Sequence, residues 1–185
     1  MIKEVVILIT VTLLFLVISC TSSQKQNDVS TMKLTSPAFA YNELIPSTYT
    51  CDGDNINPPL VISDVPMNAK SLALIIEDPD IPDAAKKNFN VDIWAHWVVF
   101  NINPVAQSIP ENSKSPGTLG KNTRGNISYG GPCPPDKEHR YFFKLYALDT
   151  TLQLKEGASR TDVKDAMQNH IIEQTELMGR YKKKS

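Results

Sequence analysis

Asp78, His96 and His139 carry side chains that could do acid–base or binding chemistry, and each lies in or beside a stretch with the composition of a strand. Imidazole N–H groups beside backbone amides suit a phosphate or carboxylate ligand. A carboxylate and two imidazoles could instead ligate a metal or supply acid and base for phosphate-ester hydrolysis. These residue types therefore predict one small polar pocket, provided that the strands carrying them are neighbours.

Each of these residues also has a plainer interpretation. Asp78 begins an Asp-Pro-Asp turn, in which aspartate commonly bonds to backbone amides and proline fixes φ. His96 sits between bulky apolar residues and could be a satisfied core histidine. Arg140 would add positive charge to the pocket if it pointed inward, and it could equally lie on the outer face.

The loop before His139, YGGPCPPDKEHRY (residues 129–141), is stiff, with two glycines and three prolines. Glycine allows close backbone approach, and proline removes donors and fixes φ. The loop is therefore expected to form a rigid wall beside a small ligand, with amides of the Gly-Gly turn available to an anion.

The sequence contains neither of two common motifs for a metal site or a serine nucleophile. The histidine spacing differs from H-E-x-x-H, and there is no G-x-S-x-G elbow for a serine nucleophile. Cys133 lies near His139 in sequence, but prolines on both sides restrict it. We therefore expect no catalysis, no cofactor and no metal. The formal net charge of −1 also argues against a nucleic-acid partner.

The elements that must position these residues are mainly strands. Period-two patterns and Gly/Pro punctuation predict strands at 60–62, Ser71–Glu77, Trp94–Ile102 and Tyr141–Leu148. The second is apolar on both faces, as a central strand would be. Strict alternation places one set of side chains of the third strand on a common face: Trp94, His96, Val98, Phe100 and Ile102.

A helix is expected only at the C-terminal end. Apolar residues recur at three-four spacing through Thr161–Tyr181, with Ser159 or Thr161 as the N-cap and His170 on the packed stripe. This helix could be continuous or broken into two. Several strands followed by a helix predict an α+β or mostly β fold.

The N-terminal segment has the features of an export signal. Val5–Ile18 is almost continuously apolar but short for a bilayer span, and Ser19-Cys20 follows it. The pattern resembles a bacterial lipobox, in which Cys20 would be lipidated; an ordinary signal peptide or an anchor helix is the alternative. The predicted organisation is a signal peptide at 1–19, a lipidated cysteine and tether at 20–32, and one domain at 33–185, anchored outside the cytoplasm at the bacterial cell envelope.

Cys51 and Cys133 are the two remaining cysteines. In an exported protein such a pair suggests a disulfide. Sequence cannot decide whether their Cα atoms lie within bridging distance, so a bridge and two free thiols both stay open.

Several motifs together resemble the phosphatidylethanolamine-binding protein (PEBP) family, specifically its bacterial and archaeal Raf-kinase-inhibitor-like branch. They are TCDG (50–53), DPDIP (78–82), HWVVFNI (96–102) and YGGPCPPDKEHRYFFKLYALD (129–149). The resemblance extends over roughly residues 33–181. It implies a large central, antiparallel-rich β-sheet, a smaller sheet packed on it and a C-terminal amphipathic helix. It also implies an anion pocket formed by Asp78, His96, His139 and Tyr141, with Gly131 and Pro132 as its wall.

The sequence departs from the pattern of that branch at Ile81, where alanine is usual, and at Pro135–Glu138, where a glycine is usual. The function expected from the resemblance is a membrane-tethered, non-catalytic protein that binds a phosphate-like or phospholipid head group, or another small anion. The alternatives are an inhibitor or regulator of an extracytoplasmic protein, such as a protease, and a metal-assisted phosphate-ester hydrolase.

Overall fold

The computed structural model describes residues 31–114 and 116–184, so the predicted signal peptide and Cys20 lie outside the described residues. No helix within these two ranges is both long enough and apolar enough to cross a bilayer. The described elements, besides a 3-10 turn at Ser47–Tyr49, are β1 (Lys33–Thr35), β2 (Leu60–Ser63), β3 (Ser71–Asp78), α1 (Asp83–Phe89), β4 (Trp94–Ile102), β5 (Ser108–Ile109), β6 (Thr118–Leu119), β7 (His139–Leu148), α2 (Arg160–Met167) and β8 (Ile171–Tyr181).

The strands form two antiparallel sheets, which confirms the expected mostly β architecture. The large sheet has the order β6-β4-β3-β7-β8, and the small sheet has the order β1-β2-β5. Every residue of the central strand β3 is buried. A strand that is apolar on both faces must be shielded from water on both faces. Here the small sheet packs against one face and α2 packs against the other.

Two apolar clusters mark the two faces of the large sheet. Leu72, Leu74 and Ile76 of β3 point into the larger cluster, which they share with residues of the small sheet. Ala73 and Ile75 point into the second cluster, which includes Val163 and Met167 of α2. Asp78 lies two residues beyond Ile76 and continues the first set, so alternation places it at the end of the sheet on the face toward the small sheet.

The prediction of a single face for alternate residues of β4 is wrong. Val98 and Phe100 belong to the cluster under α2, whereas Ile102 belongs to the cluster between the sheets. The pairing of β3 with β4 is irregular at two places, and Asn101, near one of them, has a φ of 53°. Such irregularities reset the alternation of side chains. As a result His96 leaves the face of Val98 and Phe100.

The predicted C-terminal helix is correct only in its first part. Ser159 caps α2, which ends at Met167, and the chain then becomes the edge strand β8. β8 pairs with β7 from His139↔Tyr181 to Leu148↔Ile171, and these ladder hydrogen bonds outweigh the helical spacing of its apolar residues. The packing role predicted for His170 is also wrong, because this residue is exposed and its Nδ1 lies 2.7 Å from Oδ1 of Asp149.

Candidate functional site

The sheet topology brings Asp78, His96 and His139 to one end of the large sheet. Asp78 is the last residue of β3, His139 is the first of β7, and His96 is near the start of β4. Because β3 lies between β4 and β7 and runs antiparallel to both, its end meets the beginnings of its two neighbours. Three side chains that are distant in sequence therefore converge.

Asp78 and His139 form a buried pair. His139 Nδ1 lies 2.7 Å from Asp78 Oδ2, and both side chains are almost fully buried. The other oxygen of Asp78 accepts a hydrogen bond of 2.8 Å from the amide of Asp80. Asp78 thus stabilises the Asp-Pro-Asp turn that it begins and also orients a histidine.

His139 is also held from its second nitrogen. Nε2 lies 2.9 Å from Oδ1 of Asp136, a half-exposed residue three positions earlier in the loop. This hydrogen bond is the main cause that holds the pKa of Asp136 below its usual range. The His139 ring is thereby clamped between two carboxylates.

His96 has one nitrogen occupied and one free of protein partners. Its Nδ1 lies 2.6 Å from the carbonyl oxygen of Gly130, which can only accept, so Nδ1 is the donor. Its Nε2 has no hydrogen-bond partner among the described residues and lies 4.0 Å from Asp78 Oδ2, although only 7% of the residue is exposed. A buried polar atom without a partner is uncommon and calls for a ligand or water.

Tyr141 lies behind the imidazoles. Its ring centroid is 5.2 Å from that of His96, and its buried hydroxyl has no hydrogen-bond partner in the described part of the chain. Burial, together with the negative charge of Asp78, raises the pKa of Tyr141, so the hydroxyl keeps its proton. Tyr141 is not among the residues that line the adjacent cavity, whereas Asp78, His96 and His139 are.

The Gly-Pro loop forms a wall of that cavity, but its glycine amides are not available to an anion as predicted. The amide of Gly130 donates to the carbonyl of His96 at 3.0 Å, and the amide of Gly131 donates to Oδ1 of Asn55 at 2.7 Å. A Cβ on Gly131 would lie 2.5 Å from the Tyr49 carbonyl oxygen, so close backbone approach is what requires glycine there. Pro132 lies behind this wall, where its carbonyl accepts from the amide of Cys51.

A disulfide joins the two loops beside the cavity. Cys51 and Cys133 are bridged with a Cα–Cα distance of 5.4 Å, and both residues line the cavity. The bridge ties the Gly-Pro loop to the segment that follows the 3-10 turn. Cys133 is consequently not a free thiol beside His139.

The cavity has a volume of about 530 Å³ and two unlike sides. Asp78, His96 and His139 line it together with a polar loop that includes Asn122 and Arg124. A contrasting apolar side is formed by Ile81, Pro82, Ala85, Phe89 and Trp94. Arg140 lies on the outer face, where its guanidinium bonds to Asp80.

Within residues 31–114 and 116–184, no group of three or more His, Cys, Asp or Glu residues is arranged to hold a metal ion. The two nitrogens of His139 are already engaged by carboxylates.

Several residues of the site were not predicted from the sequence. Asp136 lies at i,i+3 from His139, a spacing that could have suggested the contact. Helix α1 also had signals: Pro82 precedes it, Asp83 lies in its first turn, and Asn90 ends it at a φ of 52°. Asn55 and Arg124 had no sequence signal, because only the tertiary fold brings their loops to the cavity.

Comparisons with known proteins show the family of the chain and its fold. The sequence model of the family described as phosphatidylethanolamine-binding protein matches residues 35–182. A UPF0098 protein of Chlamydia pneumoniae is 49% identical over 152 residues, which are 82% of this chain and 99% of that protein. A UPF0098 protein of the archaeon Methanothermobacter thermautotrophicus is 48% identical over 158 residues, with 82% and 99% covered.

Two solved structures share the fold. The phosphatidylethanolamine-binding protein homologue CT736 of Chlamydia trachomatis superposes with a TM-score of 0.79 at 46% identity, covering 84% of this chain and 99% of that one. YbcL of E. coli, described as a new member of the mammalian PEBP family, gives a TM-score of 0.73 at 28% identity, with 83% and 99% covered. The extent of the family match and the identity to these relatives show that the chain belongs to the phosphatidylethanolamine-binding protein family.

Proposed function

We propose that this protein binds a small phosphate-bearing or similar anionic ligand in the cavity at the end of the large sheet. The observation that carries the proposal is the buried Nε2 atom of His96, which has no hydrogen-bond partner within residues 31–114 and 116–184 and belongs to a residue that lines the cavity. A group held in this way is satisfied only when something enters the cavity.

The tautomer of His96 defines what can bind. Because Nδ1 donates to Gly130, a neutral ring presents the Nε2 lone pair, which accepts from a P–OH group. A protonated ring presents an N–H, which donates to a phosphate or carboxylate oxygen. Arg124 supplies a further positive charge among the residues that line the cavity, and Asp78 is already engaged by His139 and by the amide of Asp80.

Binding without turnover fits the same contacts. His139 has no free nitrogen to act as a general base, because both of its nitrogens are held by carboxylates, and Nε2 of His96 is the group that we assign to holding the ligand. Cys133 is in a disulfide and cannot act as a nucleophile. The proposal is therefore a binding protein in which the pocket holds its ligand unchanged.

We also propose that the domain works outside the cytoplasm, attached to a membrane by a lipid on Cys20. The support is the lipobox-like segment that ends at this cysteine and the polar stretch after it. The Cys51–Cys133 disulfide agrees with an oxidising compartment.

The test is a thermal-shift titration of the purified full-length chain with inorganic phosphate and with phosphoethanolamine. A ligand that binds only the folded state raises stability by about 2.7 kcal/mol at one hundred times its Kd. His96→Gln should remove the shift. His170→Gln is the matched control, because His170 is an exposed histidine bonded to Asp149, and it should keep the shift. If the ligand raises the melting temperatures of both variants equally, the assignment of the pocket is wrong.

A further inference from the structure

Resting on the proposed anion site, we infer that the ligand also carries a compact apolar group, which packs on the side of the cavity formed by α1 and Trp94. The ligand class is thus a phosphate monoester with an apolar substituent rather than bare phosphate.

The first support is an apolar face of helix α1 that borders the cavity. None of the residues of α1 is buried, yet Ala85 and Phe89, one turn apart on the same face, both line the cavity. Phe89 remains 45% exposed. Its ring meets Trp94 edge to face at a centroid distance of 4.7 Å, so it is held at the cavity rather than projecting away from it.

The second support is size. The cavity of about 530 Å³ is in the range of roughly 300–1,000 Å³ that is typical of sites for drug-sized ligands. A phosphate ion would use only the part near His96. The apolar side would then stay in contact with water, which is unfavourable in proportion to its area.

The third support is the separation of polar and apolar groups around one continuous space. His96 and Arg124 line it along with polar loop residues, whereas Ile81, Ala85 and Phe89 line it from α1 and the turn before it. Arg124 lies over the Trp94 ring, with its Cζ 5.4 Å from the centroid, at the junction of the two sides. A ligand with an anionic end and an apolar end satisfies both sides at once.

The experiment is isothermal titration calorimetry of the full-length chain with inorganic phosphate, methyl phosphate and phenyl phosphate. Phenyl phosphate should bind about tenfold more tightly than methyl phosphate, since apolar pockets discriminate by about 10–200-fold per small group. Phe89→Ala should remove this advantage, so that phenyl phosphate and methyl phosphate bind the variant with similar affinity. Ala85→Asn, which leaves Phe89 in place but makes the helix face polar, should reduce the advantage as well.

Tyr41→Ala is the matched control, because Tyr41 is an aromatic residue 59% exposed and not among the residues that line the cavity. It should keep the full preference for phenyl phosphate. If phosphate and methyl phosphate bind and phenyl phosphate binds no better, this inference is overturned while the anion site stands. If none of the three binds, the proposed function itself is wrong, and this inference with it.

Discussion

Asp78 and Asp80 belong to one turn but have different partners. Asp78 faces the interior and bonds to His139, whereas Asp80 accepts two hydrogen bonds from the Arg140 guanidinium, at 2.8 and 2.7 Å, and one from its amide. Consecutive residues of a strand point to opposite faces, so Asp80 holds Arg140 outside while His139 points inside. The turn thereby sets the start of β7 in the register that the site needs.

The Asp80–Arg140 pair predicts a specific acid dependence. The hydrogen bond from Arg140 is the main cause that lowers the pKa of Asp80 from 3.8 to about 2. Because the pKa is lower in the folded state, the stabilisation is complete above about pH 4 and is lost as the pH falls toward 2. Asp80→Asn should cost about 1–2 kcal/mol at pH 7, allowing for the exposure of Arg140, and should weaken the dependence on pH between 4 and 2.

Urea unfolding at pH 7 and at pH 2.5 measures this effect. Asp83→Asn is a suitable control, because the Asp83 side chain is 89% exposed and pairs only loosely with Lys86 at 3.6 Å. The role assigned to Asp80 fails if its variant is as stable as the parent at pH 7.

Gly131 gives a second prediction for a single residue. A methyl group there would meet backbone atoms of Tyr49 at 2.5 Å and Thr50 at 2.9 Å, which cannot rotate away. Gly131→Ala should therefore destabilise the protein by about 1–3 kcal/mol and weaken phosphate binding. At Gly130 the nearest atom is the flexible Asn122 amide at 3.2 Å, so Gly130→Ala should be milder. Chemical denaturation measures the stability of the two variants, and calorimetry measures their affinity for phosphate. Equal losses in both variants would contradict the importance of the close backbone approach at Gly131.

Among the secondary-structure elements, Glu77 joins β3 to its neighbours on the face opposite the site. It is buried, and its oxygens lie 2.8 Å from Lys144 Nζ of β7 and 2.5 Å from Arg160 Nε of α2. Burial alone would raise the pKa of Glu77, but the hydrogen bonds and charges of Lys144 and Arg160 outweigh it and keep the pKa below its usual range. Glu77 thus fixes the start of α2 against the sheet while Asp78, the next residue, serves the site.

The disulfide links two loops that have no strand pairing to hold them. Cys51 and Cys133 are 82 residues apart, and closing a loop of that length in the unfolded chain corresponds to about 4 kcal/mol of stabilisation. The double variant Cys51→Ser, Cys133→Ser should lose roughly this amount and should bind phosphate less tightly, because the wall of the cavity is released.

Guanidinium unfolding with and without dithiothreitol checks the prediction. Reductant should lower the stability of the parent to that of the double variant and should leave the double variant unchanged. A parent that resists reductant under conditions where its thiols are shown to be free would contradict the stabilising role of the bridge.

On the scale of the whole molecule, the two sheets and α2 form layers, and the site opens at the end of the large sheet rather than on a face. The apolar clusters fill the space between layers, so ligand access is confined to the ends of strands and the loops around them.

The anchor is tested in the intact bacterial cell. Cys20→Ser should move the protein from the membrane fraction to the soluble fraction and abolish labelling with radioactive palmitate, because several acyl chains on one cysteine are needed for firm attachment. His170→Gln should remain in the membrane fraction, as a control that leaves Cys20 and the disulfide intact. Retention of the Cys20→Ser protein in membranes would overturn the proposed anchor.

The sequence by itself was enough to locate the strands that position the site residues. It was also enough to identify the family. The uninterrupted apolar run of β3 and the alternation within β7 are local patterns, so Ser71–Asp78 and His139–Leu148 were found to within two residues. The spacing of the DPDIP, HWVVFNI and GGPCPP motifs indicated the family, which the comparisons confirmed.

Only the tertiary structure decided which way key side chains point and what surrounds them. Irregular pairing within β4 turns His96 away from Val98 and Phe100, and ladder bonds to β7 make a strand of a segment with helical spacing. The unpartnered nitrogen of His96, the engaged glycine amides and the apolar side on α1 likewise depend on contacts between distant segments. Periodicity indicates which residues of a single helix or strand are buried. These features depend instead on the register between strands and on loops that come into contact only in the folded chain.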